Sequence, residues 1–218
     1  MGAHPKPLQR RLPSELRQEE IVKVALELAA KHGARGTTTH GIAAAMNLSQ
    51  GAIFRHFPNK DAIWLAVIDW VRAQVGEMMA GIESAYPEPI ERLRELFRAH
   101  ARFVAGHASI PRLIFAELSQ SDNADIRTAV QTMMKGYEGR LRAIFGAAKT
   151  RGLVAGELDE GAAATLFLST LQGLALQNAV FGSERSIPQQ AERLLPMLLR
   201  AIGAETSPFA PPEEGATP

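Results

Sequence analysis

Apolar positions recur with helical spacing along almost the whole chain. Between Ser14 and His32, the residues Ile21, Val24, Ala25, Leu28 and Ala29 fall at i, i+3, i+4, i+7 and i+8, one stripe of an amphipathic helix. Glu19, Lys23, Glu27 and Lys31 alternate in sign every four residues on another side, which suits an exposed face. Gly33 is placed to cap this helix. Two short elements follow. Thr39 is expected to cap a helix running to Met46, with Ile42, Ala43 and Met46 inward, and Ser49 to cap one from about Gln50 to His56, with Ile53 and Phe57 inward. Asn47 between them tolerates the left-handed backbone of an abrupt helix end. Pro58 then breaks the run, and Asn59 is placed to cap a long helix from Lys60 to about Ser84.

The remainder is patterned the same way. After a break at Tyr86-Pro87-Glu88-Pro89, a stripe of Ile90, Leu93, Phe97, His100 and Val104 predicts another helix. A shorter one is expected from Ser109 to about Gln120, with Pro111 tolerated in its first turn. Asp122 and Asp125 mark the start of a helix bearing Ile126, Val130, Met133, Met134, Tyr137, Leu141, Ile144 and Phe145, which stops at Gly152. The stretch from about Asp159 to Phe181 is apolar on nearly every side. Pro188 to Gly203 carries a stripe of Ala191, Leu194, Leu195, Leu198, Leu199 and Ile202, with a kink expected at Pro196. No β alternation and no internal repeat interrupts this. The fold class is all-α, with nine candidate helices.

Composition removes several alternatives. The chain holds no cysteine among its 218 residues, which excludes disulfides and thiolate metal sites and permits a reducing compartment. The first twenty residues contain no apolar segment, so they do not read as a secretory signal. Gly161 to Ser183 has no charge and is long enough to span a bilayer. However, Thr165, Ser169, Thr170, Gln172, Gln177 and Asn178 are spread through it, and unpaired amides are costly in lipid. A helix buried inside protein is the better reading.

Charge is distributed unevenly. The net charge is only +1, yet residues 1–60 hold nine Lys or Arg against four Glu, and the remainder holds 15 basic against 19 acidic residues. A basic first quarter on an acidic body is the footprint of a nucleic-acid contact, with a merely solvated face and arm as the plain alternative. Between Gly36 and Phe54 no Asp, Glu, Lys or Arg occurs. Two helices this short are not stable alone and need the helix over 14–32 to pack against. That arrangement is a helix-turn-helix, whose second helix is presented to a DNA major groove. Gly51 and Ala52 at its start allow close approach to DNA. Gln50 and Arg55 carry the chemistry to read base edges, Gln toward adenine and Arg toward guanine. Lys60, at a helix N-terminus, suits a phosphate, and Thr39 and His40 suit one in the same way.

The run TTTHGIAAAMNLSQGAIFRHFPNKDAI resembles the N-terminal domain of the tetracycline-repressor (TetR) family, over about Ser14 to Ile63, with IFRHFPNKD the specific part. Asn47 stands where the family pattern has glycine, and Phe54 where it has tyrosine, removing a hydroxyl and leaving a packing residue. Gly41 early in a helix costs about 1 kcal/mol relative to alanine. The resemblance implies DNA contact by Thr39, His40, Gln50, Gly51, Ala52, Phe54, His56 and Lys60; Arg55 is added on chemistry alone. For His40 and His56 the plain alternative is a packed or solvated histidine.

The resemblance further implies a homodimer paired through the last two long helices, a palindromic double-stranded DNA operator, and a small-molecule effector pocket in the larger domain. The all-round apolar helix 159–181, with Leu166, Phe167, Leu168, Leu171, Leu174 and Leu176, independently requires cover on every side, which a second subunit would supply. Pocket candidates are His100, Tyr137 and Gln172, polar residues in apolar surroundings, with Phe97, Met133, Met134 and Phe167 as walls. Each could instead be ordinary core. The expected organisation is a flexible arm 1–13, a helix-turn-helix domain 14–62, an effector-binding and dimerisation domain 63–205, and a disordered tail 206–218. The expected function is a ligand-responsive regulator, a cytoplasmic repressor released from DNA by a hydrophobic effector.

A rival is a helical ligand-binding adaptor without DNA binding, favoured if Gln50, Arg55 and Lys60 turn inward. Enzyme function is not expected. No G-x-G-x-x-G turn, G-x-S-x-G, H-E-x-x-H or P-loop lysine is present. His100 and His107 lie two helical turns apart, too far to share a metal, so no cofactor or metal is expected.

Overall fold

The computed structural model describes residues 14–107, 110–111, 113–114, 123–182 and 186–204. Eight helices are defined among them: α1 (Ser14–Gly36), α2 (Thr39–Ala45), α3 (Gln50–Phe54), α4 (Lys60–Ala85), α5 (Pro89–Gly106), α6 (Ala124–Thr150), α7 (Glu160–Phe181) and α8 (Ile187–Ala201). The described part of 110–114 is also helical, and no strand occurs among the described residues. The rest of the helix expected over 109–120 lies outside the described residues, as do Asp122, the arm 1–13 and the tail 206–218.

The chain divides into two compact units between Val67 and Ile68, inside α4. In the first unit, α1 packs on α2 and α2 on α3. Its core is Ile21, Ala25, Ile42, Ile53, Phe57, Ile63 and Trp64, all buried. Complete burial of a side chain such as Ile53 contributes roughly 1.5–3 kcal/mol, which is how a five-residue helix is held in place. Gly33 leaves the helical region (φ 71°, ψ 171°), so α1 kinks where a cap was expected and continues to Gly36. The kink frees the Gly33 carbonyl, which accepts from the hydroxyl of buried Thr37 at 2.9 Å.

The caps differ from expectation at two places. Thr38, not Thr39, caps α2: its extended backbone lets Oγ1 accept from Gly41 N–H at 2.9 Å, which leaves Thr39 inside the helix. Asn123 caps α6, accepting from the N–H groups of Asp125 and Ile126. Elsewhere the expected residues cap: Ser49 accepts from Ala52 N–H and Asn59 from Ala62 N–H. Asn47 has φ 54°, the left-handed conformation expected of it.

In the second unit α6 packs on α7 and α5 on α8, around Leu93, Phe97, Leu141, Phe145, Phe167, Leu171 and Leu199. Asp159 caps α7, and the N–H groups of Ala162 and Gly161 hold its carboxyl below the usual range. Pro196 lies within α8 without ending it. Among the described residues no helix is long and apolar enough to cross a membrane.

Candidate nucleic-acid interface and ligand cavity

The turn between α2 and α3 is closed by backbone bonds from Asn47 N–H to Ala44 O and from Leu48 N–H to Ala43 O, at 3.1 and 2.9 Å. With Ile53 turned into the core, the remaining positions of α3 face out: Gln50, Gly51, Phe54 and Arg55 are exposed and Ala52 partly so. Gln50 Nε2 donates to Thr39 Oγ1 at 2.9 Å, so the first turns of α2 and α3 present polar groups side by side. His40 is exposed next to Thr39. Phe54 is 44% exposed, which corrects its assignment as a packing residue.

Two of the expected contact residues are engaged within the unit. Lys60 Nζ donates to Ala34 O at 2.7 Å and lies 5.5 Å from the centre of the Trp64 ring, so it ties the end of α1 to the start of α4. The His56 ring lies 3.3 Å, through Nδ1, from Ser14 Oγ, and its carbonyl accepts from Gln18 Nε2 at 3.4 Å. Both residues remain partly accessible.

The second unit contains an open-sided cavity of about 560 Å³, within the range of small-molecule sites. Of the residues expected to form a pocket, His100, Met133, Met134, Tyr137 and Gln172 line it, although α5, α6 and α7 carry them far apart in sequence. Phe97 and Phe167 do not. Their fully buried rings pack edge to face at 5.2 Å, in the core of the unit, which corrects their place as pocket walls. The walls come instead from Val71, Val75 and Met79 of α4, Phe103 and Val104 of α5, and Leu168 and Leu171 of α7. Sequence reasoning missed the α4 wall because its residues look like any inward-facing stripe. The α5 wall was legible: His100, Phe103, Val104 and His107 stand at i, i+3, i+4 and i+7.

Inside the cavity His100 Nδ1 and the Tyr137 hydroxyl are 2.7 Å apart, with the rings stacked at 5.2 Å. Burial lowers the His100 pKa from 6.5 to about 4, because protein surrounds the ring on every side but the cavity. Burial likewise pushes the Tyr137 phenol above its ordinary value, opposed by the nearby Arg140. Both groups are uncharged near neutrality. Among the described residues no group of three His, Asp or Glu is arranged to hold a metal ion.

Known proteins bear on both units. Residues 21–67 match the family model of bacterial regulatory proteins, tetR family, and residues 86–176 match a tetracyclin repressor-like C-terminal domain. The nucleoid occlusion factor SlmA of Vibrio cholerae is 23% identical over 158 residues, covering 72% of this chain and 81% of that protein. The probable acrEF/envCD operon repressor of Escherichia coli is 27% identical over 152 residues, covering 65% of this chain and 66% of that protein. The crystal structure of the transcriptional regulator FadR from Bacillus subtilis in complex with stearoyl-CoA has a similar fold, with a TM-score of 0.72 at 20% identity over 84% of this chain and 98% of that one. With an outward-facing helix-turn-helix in one unit, a cavity in the other and family matches over both, the chain belongs to the tetR family of bacterial regulatory proteins and is a ligand-responsive, DNA-binding transcriptional regulator.

Proposed function

We propose that the protein is a repressor that binds a palindromic operator as a homodimer and leaves it when a hydrophobic molecule fills the cavity. The observation that carries this is the outer face of α3, where Gln50 and Arg55 stand exposed beside Gly51 and Ala52 while Ile53 anchors the helix from behind. Gln50 and Arg55 read base edges; Thr39, His40, Phe54, His56 and Lys60 meet the backbone and sugar. Lys60 reaches a phosphate by exchanging its bond to the Ala34 carbonyl. Gln50 and Arg55 face outward, which speaks against the adaptor reading, while Lys60 is half-buried and bonded to the Ala34 carbonyl.

Dimerisation is assigned to α7 and α8. Leu166, Leu176, Val180 and Phe181 of α7 and Met197 of α8 are exposed, between 43% and 68%. An apolar set of this size on two neighbouring helices is the kind of surface that a second copy covers. Two reading helices then stand about one duplex turn apart, roughly 34 Å. Helix α4 links ligand and DNA: it begins at Lys60 and carries Val71, Val75 and Met79 in the cavity wall. A ligand that prefers a shifted α4 changes the spacing of the heads and releases the operator. In this reading the protein works in the cytoplasm, with no catalytic activity and no cofactor. Selection of bound sequences from random DNA, repeated with lipophilic compounds present, tests it. A palindrome whose binding is lost on ligand addition is expected; enrichment of no sequence would overturn the reading.

A further inference from the structure

We propose that the cavity selects an uncharged lipophile with one hydrogen-bonding oxygen, a ketone, ester or alcohol, which docks on the His100–Tyr137 pair. This rests on the reading of the cavity as the effector site. It commits that site to a class of molecule by two observations.

The first is charge. Among the described residues the cavity wall contains Arg72 and Arg140 and no Asp, Glu or Lys. Arg140 is already matched: Nε and Nη2 donate to the two carboxylate oxygens of Glu83 at 3.1 and 2.9 Å, and Nη1 donates to the Gly76 carbonyl at 3.3 Å. Arg72 donates to Asp69 Oδ1 through Nε and Nη2, at 3.3 and 3.1 Å. A carboxylate or phosphate seated among the Met, Val and Leu walls would therefore meet no unmatched cation among the described residues, since the Arg72 side chain is largely exposed to solvent. An ammonium would find no carboxylate in the wall. Either charge would lose its hydration without a partner, which an apolar site penalises heavily.

The second is the hydrogen-bonding capacity of the pair. A neutral imidazole bonded to a phenol has two arrangements. If Tyr137 donates to Nδ1, His100 keeps an N–H on Nε2 and the phenol oxygen keeps its acceptor capacity. If Nδ1–H donates to the phenol oxygen, Tyr137 keeps its O–H proton for another partner and Nε2 accepts. In both arrangements one donor and one acceptor remain. Among the described residues Nε2 has no protein partner, and His100 lines the cavity. One spare donor beside one spare acceptor matches a carbonyl, which takes the donor, or a hydroxyl, which uses both. The low pKa of His100 agrees with this, because a ring that stays neutral attracts no anion.

The test is calorimetric titration of the full chain with decanol, methyl decanoate, decanoic acid and decylamine, four ligands built on the same ten-carbon chain that differ in the head group, and with naphthalene as an oxygen-free control. Decanol and methyl decanoate are expected to bind at least about tenfold more tightly than the acid or the amine. Tyr137→Phe should weaken decanol, which uses both groups of the pair, by roughly tenfold, the loss of one buried hydrogen bond, while leaving naphthalene binding within about twofold. That control separates loss of the docking bond from collapse of the cavity. Decanoic acid or decylamine binding as well as the ester would overturn the proposal, as would no binding by either uncharged ligand or an unchanged decanol affinity in Tyr137→Phe. Gel-shift measurements on a selected operator run in parallel. Release of DNA by decanoic acid would leave the regulator standing and remove this ligand class, whereas failure to bind any DNA would remove the regulator reading while the calorimetric ranking still decides this one.

Discussion

Acidification should destabilise this protein through His100 by an amount the structure sets. The ring is neutral in the fold, with its pKa lowered from 6.5 to about 4 by burial. Above 6.5 neither the folded nor the unfolded chain protonates this ring, so it contributes no pH dependence. As pH falls from 6.5 toward 4 the unfolded chain takes up the proton and the native chain does not, and stability drops by about 1.4 kcal/mol per pH unit. Below 4 both forms are protonated and the slope from this group disappears. The whole interval corresponds to about 3 kcal/mol. Urea unfolding of the wild type and of His100→Gln across that interval measures it. The variant also loses the bond to Tyr137, so its stability at neutrality differs by a constant, but the readout is the change in the difference between the two proteins as pH falls. Curves that stay parallel from neutrality to 4 would refute the reasoning, and a ring resonance of His100 titrating near 6.5 would do so directly.

Other substitutions separate the remaining assignments. Gln50→Ala and Arg55→Ala should each alter sequence preference, at roughly 1–3 kcal/mol for the affected base pair, whereas Lys60→Ala should weaken binding to all sequences alike and reduce the salt slope by about 1; binding assays across an operator library at two salt concentrations distinguish these. Lys60→Ala should also lower the melting temperature, because the bond to Ala34 O is lost. Leu176→Glu together with Val180→Glu should convert a dimer to a monomer in sedimentation while leaving helicity unchanged, since both side chains are exposed in the single chain. Gly203→Ala should cost more than about 1 kcal/mol in thermal unfolding, because φ is +71° and a Cβ there would lie 2.9 Å from both the Cβ and the backbone nitrogen of Ala155. Ser49→Ala, which removes the cap of α3, should cost about 0.5–2 kcal/mol of stability.

The sequence by itself determined eight of the helices and placed two of them, α2 and α3, in a short pair that packs on α1. Helical periodicity is a local property written in the order of apolar residues, and Ser49, Asn59 and Asp159 cap the turn that follows them, so those starts were readable without any fold. The α2–α3 region was legible because two very short helices are possible only when they pack on a third, and because uncharged residues there leave few roles besides packing and DNA contact. Tertiary structure decided what periodicity leaves ambiguous. Thr38 and Thr39 are chemically equal as caps, and only the extended backbone at Thr38 selects it. Phe97 and Phe167 were indistinguishable from cavity walls until their rings were seen to pack on each other, and the same helix that carries Phe97 turns His100 toward the cavity. A stripe says that a residue faces inward, not whether the space it meets is filled by other side chains or left open. That depends on which helices converge, and the pairing of Arg140 with Glu83 and of His100 with Tyr137 exists only once α4, α5 and α6 are brought together.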